Sequence, residues 1–111
     1  MRFMRSLAAI ADPTRRRIVE LLAARDRTAG ELVEAFELSA PAISQHLNVL
    51  RDAGLITTRR EGTSRIQSLN PDGFDEVQDW LEKTRSLWSR RLDALERELR
   101  ADDAARRKTK S

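Results

Sequence analysis

The chain has no cysteine. That absence removes disulfides, thiolate metal ligands and cysteine nucleophiles together. Aromatic residues make up only 5% of 111 positions, so a core must come mainly from aliphatic side chains. No apolar run approaches the roughly 20 residues that span a bilayer. Charges and a proline interrupt the first residues, MRFMRSLAAIADPTRRR, so a secretory leader is not expected. Histidine occurs once, at His46. No glycine-rich phosphate loop is present, and no serine, histidine and acid stand in a supporting context. The expectation is a cytoplasmic domain that is not an enzyme, carries no metal or cofactor and has no membrane partner.

What is present is charge, at 35% of residues with a net +3. It is unevenly placed. Residues 1–70 hold eleven arginines and no lysine against eight carboxylates, whereas residues 71–111 balance ten against ten. Arginine suits phosphate because its guanidinium is a flat, permanently charged fork. The excess is mild, and charge alone says little about nucleic acid.

Hydrophobic periodicity gives five helices and one hairpin. The first helix covers about 3–11, with Phe3, Leu7 and Ile10 on one stripe. Asp12-Pro13 reads as a cap and first-turn proline for the second, which runs to about Ala24 and buries Ile18, Leu21 and Leu22. Arg15, Arg16 and Arg17 crowd its positive end, where an anion would help. Solvation also accounts for them. Thr28 to Glu31 fits a capping box for a short third helix facing inward through Leu32, Ala35 and Phe36.

The stretch LSAPAISQHLNVLRDAGLI follows. Ser39 caps the fourth helix, Pro41 lies in its first turn, and Gly54 is a left-handed stop. Ile43, Leu47 and Leu50 form its core stripe. Pro41, Ser44, Gln45, Asn48 and Asp52 lie opposite, with Ala42 and Val49 on a flank. Two helices joined by a tight turn, with small residues near the start of the second, read as a helix-turn-helix. Gln45 can donate to and accept from one adenine edge. An amphipathic helix with a solvated face shares this pattern.

Leu55 to Leu69 is rich in β-branched residues and breaks at Glu61-Gly62-Thr63-Ser64, so it reads as a hairpin. Arg59, Arg60 and Arg65 flank its tip. After a helix-turn-helix, a basic hairpin is a wing reaching phosphate or the minor groove. Charged edges also guard strands against aggregation.

The last helix opens at Asn70-Pro71. Phe74, Val77, Leu81, Trp88, Leu92, Leu95 and Leu99 follow spacings of three or four, with Thr84 filling the gap between Leu81 and Trp88, and Trp80 and Leu87 widen the stripe. A small winged helix cannot bury so long a stripe, so the natural partner is a second copy, with help from Phe3 and Leu7. Folding of the helix back on itself is the other solution. After residue 101 the periodicity fails, and residues 101–111 are expected to form a disordered basic tail.

The fold class is therefore mainly α with a small β-hairpin: one winged helix-turn-helix domain over 1–100, with a long C-terminal dimerisation helix. It resembles the ArsR-type (ArsR/SmtB) winged-helix transcriptional repressors. The resemblance rests on AAIADPTRRRI at 8–18, TAGELVEAFELSAPAISQHLNVLRDAGLI at 28–56 and TRREGTSRIQSLNP at 58–71, and it covers about 100 residues. It implies a homodimer repressing transcription from a palindromic double-stranded DNA operator. Carried onto this chain, the base-facing residues are Ala40, Pro41, Ala42, Ser44 and Gln45. Alanine and proline fill three of these, leaving most hydrogen-bonded readout to Ser44 and Gln45. Candidate contacts to the DNA backbone are Arg15, Arg16, Thr28, Ser39, His46, Arg59, Arg60 and Arg65. His46, at the edge of the core stripe, is structural or phosphate-contacting. Candidate dimer residues are Phe3, Leu7, Trp80, Leu81, Leu87, Trp88, Leu92 and Leu95. Many relatives sense metals through cysteines. Here Phe36 and Leu38 stand near those positions, and the last helix has no histidine, so a member that does not sense metal is expected. Its effector is not legible. A winged helix used only for protein–protein contact is the alternative function.

Overall fold

The structure, a computed structural model, describes the backbone of residues 2–109 and side-chain surroundings for residues 4–107. Its elements are α1 (Arg2–Ala11), α2 (Pro13–Ala24), β1 (Arg27–Thr28), α3 (Ala29–Ala35), α4 (Ala40–Asp52), β2 (Ile56–Glu61), β3 (Ser64–Leu69), a 3-10 turn (Pro71–Phe74) and α5 (Asp75–Thr109). They divide into two compact units, residues 1–77 and residues 78–111.

Within residues 1–77 the helix boundaries follow local chemistry. Asp12 accepts from the Arg15 N–H at 3.0 Å with Pro13 beginning α2, and Thr28 and Glu31 form a reciprocal capping box on α3. α4 ends in a Schellman motif: Leu55 N donates to Leu50 O, Gly54 N donates to Arg51 O, and Gly54 has φ +77°. The motif swings the chain straight into β2 and sets buried Leu55 beside buried Leu50.

Ile18, Leu22, Leu32, Ile43, Leu47, Leu50, Leu55 and Ile56 make the core. Burying each such side chain stabilises the fold by about 1.5–3 kcal/mol. The sheet has three antiparallel strands in the order β1-β3-β2, not the hairpin alone. β1 is too short for any periodic signal. Ala35, expected to face inward, is exposed, and Phe36 lies just past the end of α3, half-buried against the core.

The segment after the sheet departs from expectation. The Asn70 side chain does not cap a helix; its Nδ2 donates to Gly54 O at 2.9 Å, and Pro71–Phe74 winds as the 3-10 turn. Phe74 and Val77, read as part of the long exposed stripe, lie inward in this unit. Gly73 permits the close approach. A Cβ there would fall 2.0 Å from Gly54 O and 2.8 Å from Gly54 C, and backbone cannot swing aside. Gly73→Ala should therefore destabilise the protein by about 1–3 kcal/mol, as overpacking does. A urea melt with an unchanged midpoint would contradict this contact.

Residues 78–111 contain the remainder of α5. Trp80, Leu81, Leu87, Trp88, Leu92, Leu95 and Leu99 are all exposed along it. The helix continues to Thr109, so residues 101–109 are helical and not the irregular tail expected from the lost apolar period. Ala101, Ala104, Ala105, Arg106 and Arg107 are strong helix formers and need no apolar stripe to extend an existing helix.

Candidate nucleic-acid interface

α4 presents its N-terminal face outward. Ser39 caps it, accepting from the Ala42 N–H at 3.3 Å. Ala40, Pro41, Ser44, Gln45 and Asn48 are exposed, while Ala42 is half-buried. The Ser44 hydroxyl and the Gln45 amide have no hydrogen-bond partner among the described residues. Gln45 is thus free to donate and accept at once, as bidentate contact with adenine requires.

Several of the residues expected at phosphate also hold the fold together. Arg15 donates through Nε to Ala9 O at 2.7 Å and through a terminal nitrogen to Ala8 O at 3.3 Å, satisfying carbonyls at the end of α1. Its other terminal nitrogen lies 3.3 Å from His46 Nδ1. Arginine only donates, so in this contact Nδ1 is the acceptor. The Arg15 N–H, and after it the guanidinium charge, hold the Asp12 carboxyl below the usual range. Thr28, half-buried, uses its oxygen in the capping box. Arg16 is exposed.

In the hairpin the three arginines differ. Arg59 pairs with Asp26 at 3.0 Å and Glu61 at 3.2 Å, and it donates to Ser68 at 2.8 Å. Asp26, and next Glu61, raise its pKa, while the Ser68 hydroxyl, and next Arg59, lower that of Asp26. Arg59 therefore ties β2 to the residue before β1 and is already neutralised. Arg60 and Arg65 face each other across the β2–β3 ladder, both exposed, with no carboxylate partner among the described residues. Like charges directly opposite repel, and an anion between them would relieve the repulsion.

A polar chain that the sequence reading missed joins α4 to the hairpin. Arg51 donates to Thr58 Oγ1 at 3.0 Å and to Asn48 Oδ1 at 2.8 Å, and Thr58 donates to Gln67 Oε1 at 2.7 Å. Gln67 is 1% exposed. Its place opposite Thr58 depends on strand register, which the sequence does not display. The i, i+3 spacing of Asn48 and Arg51 was the one available signal. No group of three or more potential metal ligands converges among the described residues.

A helix-turn-helix followed by a basic antiparallel hairpin is the architecture of a winged-helix DNA-binding protein. The family model described as "Bacterial regulatory protein, arsR family" matches residues 12–58. The transcriptional repressor SdpR of Bacillus subtilis (strain 168) is 44% identical over 73 residues, covering 66% of this chain and 81% of that protein. The HTH-type transcriptional regulator Rv2034 of Mycobacterium tuberculosis (strain ATCC 25618 / H37Rv) is 42% identical over 88 residues, covering 79% of each. The solved ArsR-like transcriptional regulator from Rhodococcus sp. RHA1 superposes with a TM-score of 0.70 at 29% identity, covering 85% of this chain and 89% of that one. The chain belongs to the ArsR family of DNA-binding, helix-turn-helix transcriptional regulators. No helix among the described residues is long and apolar enough to cross a membrane.

Proposed function

We propose that this protein is a homodimeric cytoplasmic repressor that sets two α4 helices into successive major grooves of a palindromic operator. The observation that carries the reading is the unpartnered Gln45–Ser44 face of α4 in the same unit as a hairpin with two unneutralised arginines, Arg60 and Arg65. The first can read bases; the second can hold backbone. Repression is the activity named for SdpR. The proposed regulator acts without metal and without catalysis: each chain offers one imidazole and no thiolate, while tight zinc sites take three or four protein ligands, mostly thiolate or imidazole.

Selection of bound sequences from random duplex DNA tests the reading and should return an inverted repeat. Gln45→Ala should cost about 1–3 kcal/mol on that repeat and relax one symmetric base position. An unchanged selected motif would remove Gln45 as a reader. Binding without salt dependence would favour a protein–protein role instead.

A further inference from the structure

Between α4 and the hairpin lies a crevice of about 80 Å³, lined by Ser44, Asn48 and Arg51 from the helix and Arg65 and Gln67 from β3. Two cations line it and no carboxylate does. The bonds of Arg51 fix the character of its polar groups. A guanidinium has donors only, so the Asn48 atom that meets Arg51 at 2.8 Å is the oxygen. One lone pair of the Asn48 oxygen is thereby taken and the amide's orientation fixed, and its nitrogen keeps two N–H donors. Arg51 in turn is held by Thr58, itself bound to buried Gln67, and retains terminal N–H groups beyond those bonds. Arg65 brings an unpaired guanidinium from the other wall.

We propose that this crevice is a seat for one phosphodiester of the DNA backbone, gripped by the Asn48 amide, Arg65 and the free N–H groups of Arg51. Thr58 and Gln67 are positioning residues that hold Arg51 in place. The seat rests on the DNA-binding reading and adds a site to it. It divides two neighbouring amides by role: Gln45, with donor and acceptor both free, suits a base edge, whereas Asn48, with its oxygen held by Arg51 and its N–H groups unengaged, suits an oxygen that only accepts. It also couples the wing to the recognition helix, because the grip needs a side chain from each.

Asn48→Asp is the discriminating variant. An aspartate accepts from Arg51 as asparagine does, so the link to the hairpin survives, but it turns a carboxylate oxygen toward the seat. Fluorescence anisotropy should show binding weakened about tenfold or more on the selected operator and on random duplex alike, with the selected motif unchanged. Neutral methylphosphonate linkages placed one at a time along the operator should then weaken the wild type at one symmetry-related backbone position where Asn48→Asp shows no further loss. Thr58→Val should be insensitive at that same position, and Thr58→Ser should recover the wild-type response. Arg65→Gln, an exposed change that breaks no bond within the chain, should repeat the Asn48→Asp pattern. Wild-type affinity in Asn48→Asp, or no linkage position that separates the variants, would overturn the seat while leaving DNA binding intact. A shifted motif in Asn48→Asp would make Asn48 a base reader and also overturn it. A wild-type protein that bound no duplex would overturn the DNA-binding reading itself, and the seat with it.

Discussion

Trp88→Glu combined with Leu92→Glu should convert the protein to monomers and weaken operator binding by roughly 10²–10⁴-fold, the advantage lost when two linked sites act singly. Trp88 is 60% exposed and Leu92 48%. Leu81, Thr84, Trp88, Leu92, Leu95 and Leu99 fall within about 80° of one another at 100° per residue. The spacing repeats every eleven residues, pairing Leu81 with Leu92, Thr84 with Leu95 and Trp88 with Leu99. Such a period keeps one stripe aligned along an almost straight helix, so a second copy can cover it throughout. Across a twofold seam the four new carboxylates would be drawn away from water against an apolar stripe. Ser86→Glu, about 140° from Leu81 on the same wheel, should leave assembly unchanged. Light scattering of a wild-type monomer at micromolar concentration would defeat the proposal. Loss of the dimer without loss of affinity would separate assembly from DNA binding, since half-sites about 34 Å apart need two helices acting together.

The elements legible in the sequence were those specified by neighbours in the chain. Asp12-Pro13, the Thr28–Glu31 box, Ser39 and Gly54 each mark a helix end through bonds spanning only a few residues, and each stands where expected. The failures came where a distant group outbid the local one. Asn70 has the right chemistry for a cap, but Gly54 O, sixteen residues away, takes its amide. Phe74 and Val77 continue the apolar spacing of α5 yet lie inward in the first unit, so the stripe left for a partner starts at Trp80. The basic end of α5 loses its apolar period without losing helix propensity, and periodicity registers only the first of these.

The candidate site divides in the same way. Gln45 and Ser44 could be placed because a wheel decides which way they face. The arginines could not be ranked, since an arginine's partner is set by tertiary structure. Arg15 is held by α1 carbonyls, and Arg59 by Asp26, thirty-three residues before it. Arg51, in the last turn of α4, links that helix to the wing through a partner that strand register alone brings near.

That ranking has a measurable consequence. Arg60→Ala with Arg65→Ala should lower the slope of log affinity against log salt by about 3–4, because a dimer loses four cations and each released phosphate contact contributes about 0.9. The loss should be the same on operator and on random duplex, since phosphate contacts carry no sequence information. Hairpin stability should not suffer: the two side chains face each other across β2 and β3, so removing them also removes a repulsion. Arg59→Ala should behave in the opposite way. Its charge is already balanced by Asp26 and Glu61, so the slope should move by less than one unit, while the loss of its bonds to Asp26 and Ser68 loosens β2 from the residue before β1. Anisotropy titrations from 50 to 300 mM salt, run beside thermal melts of the same variants, separate the two behaviours. An unchanged slope in the double variant would mean that Arg60 and Arg65 do not touch phosphate, and a steep fall in Arg59→Ala would mean that DNA displaces its carboxylate partners.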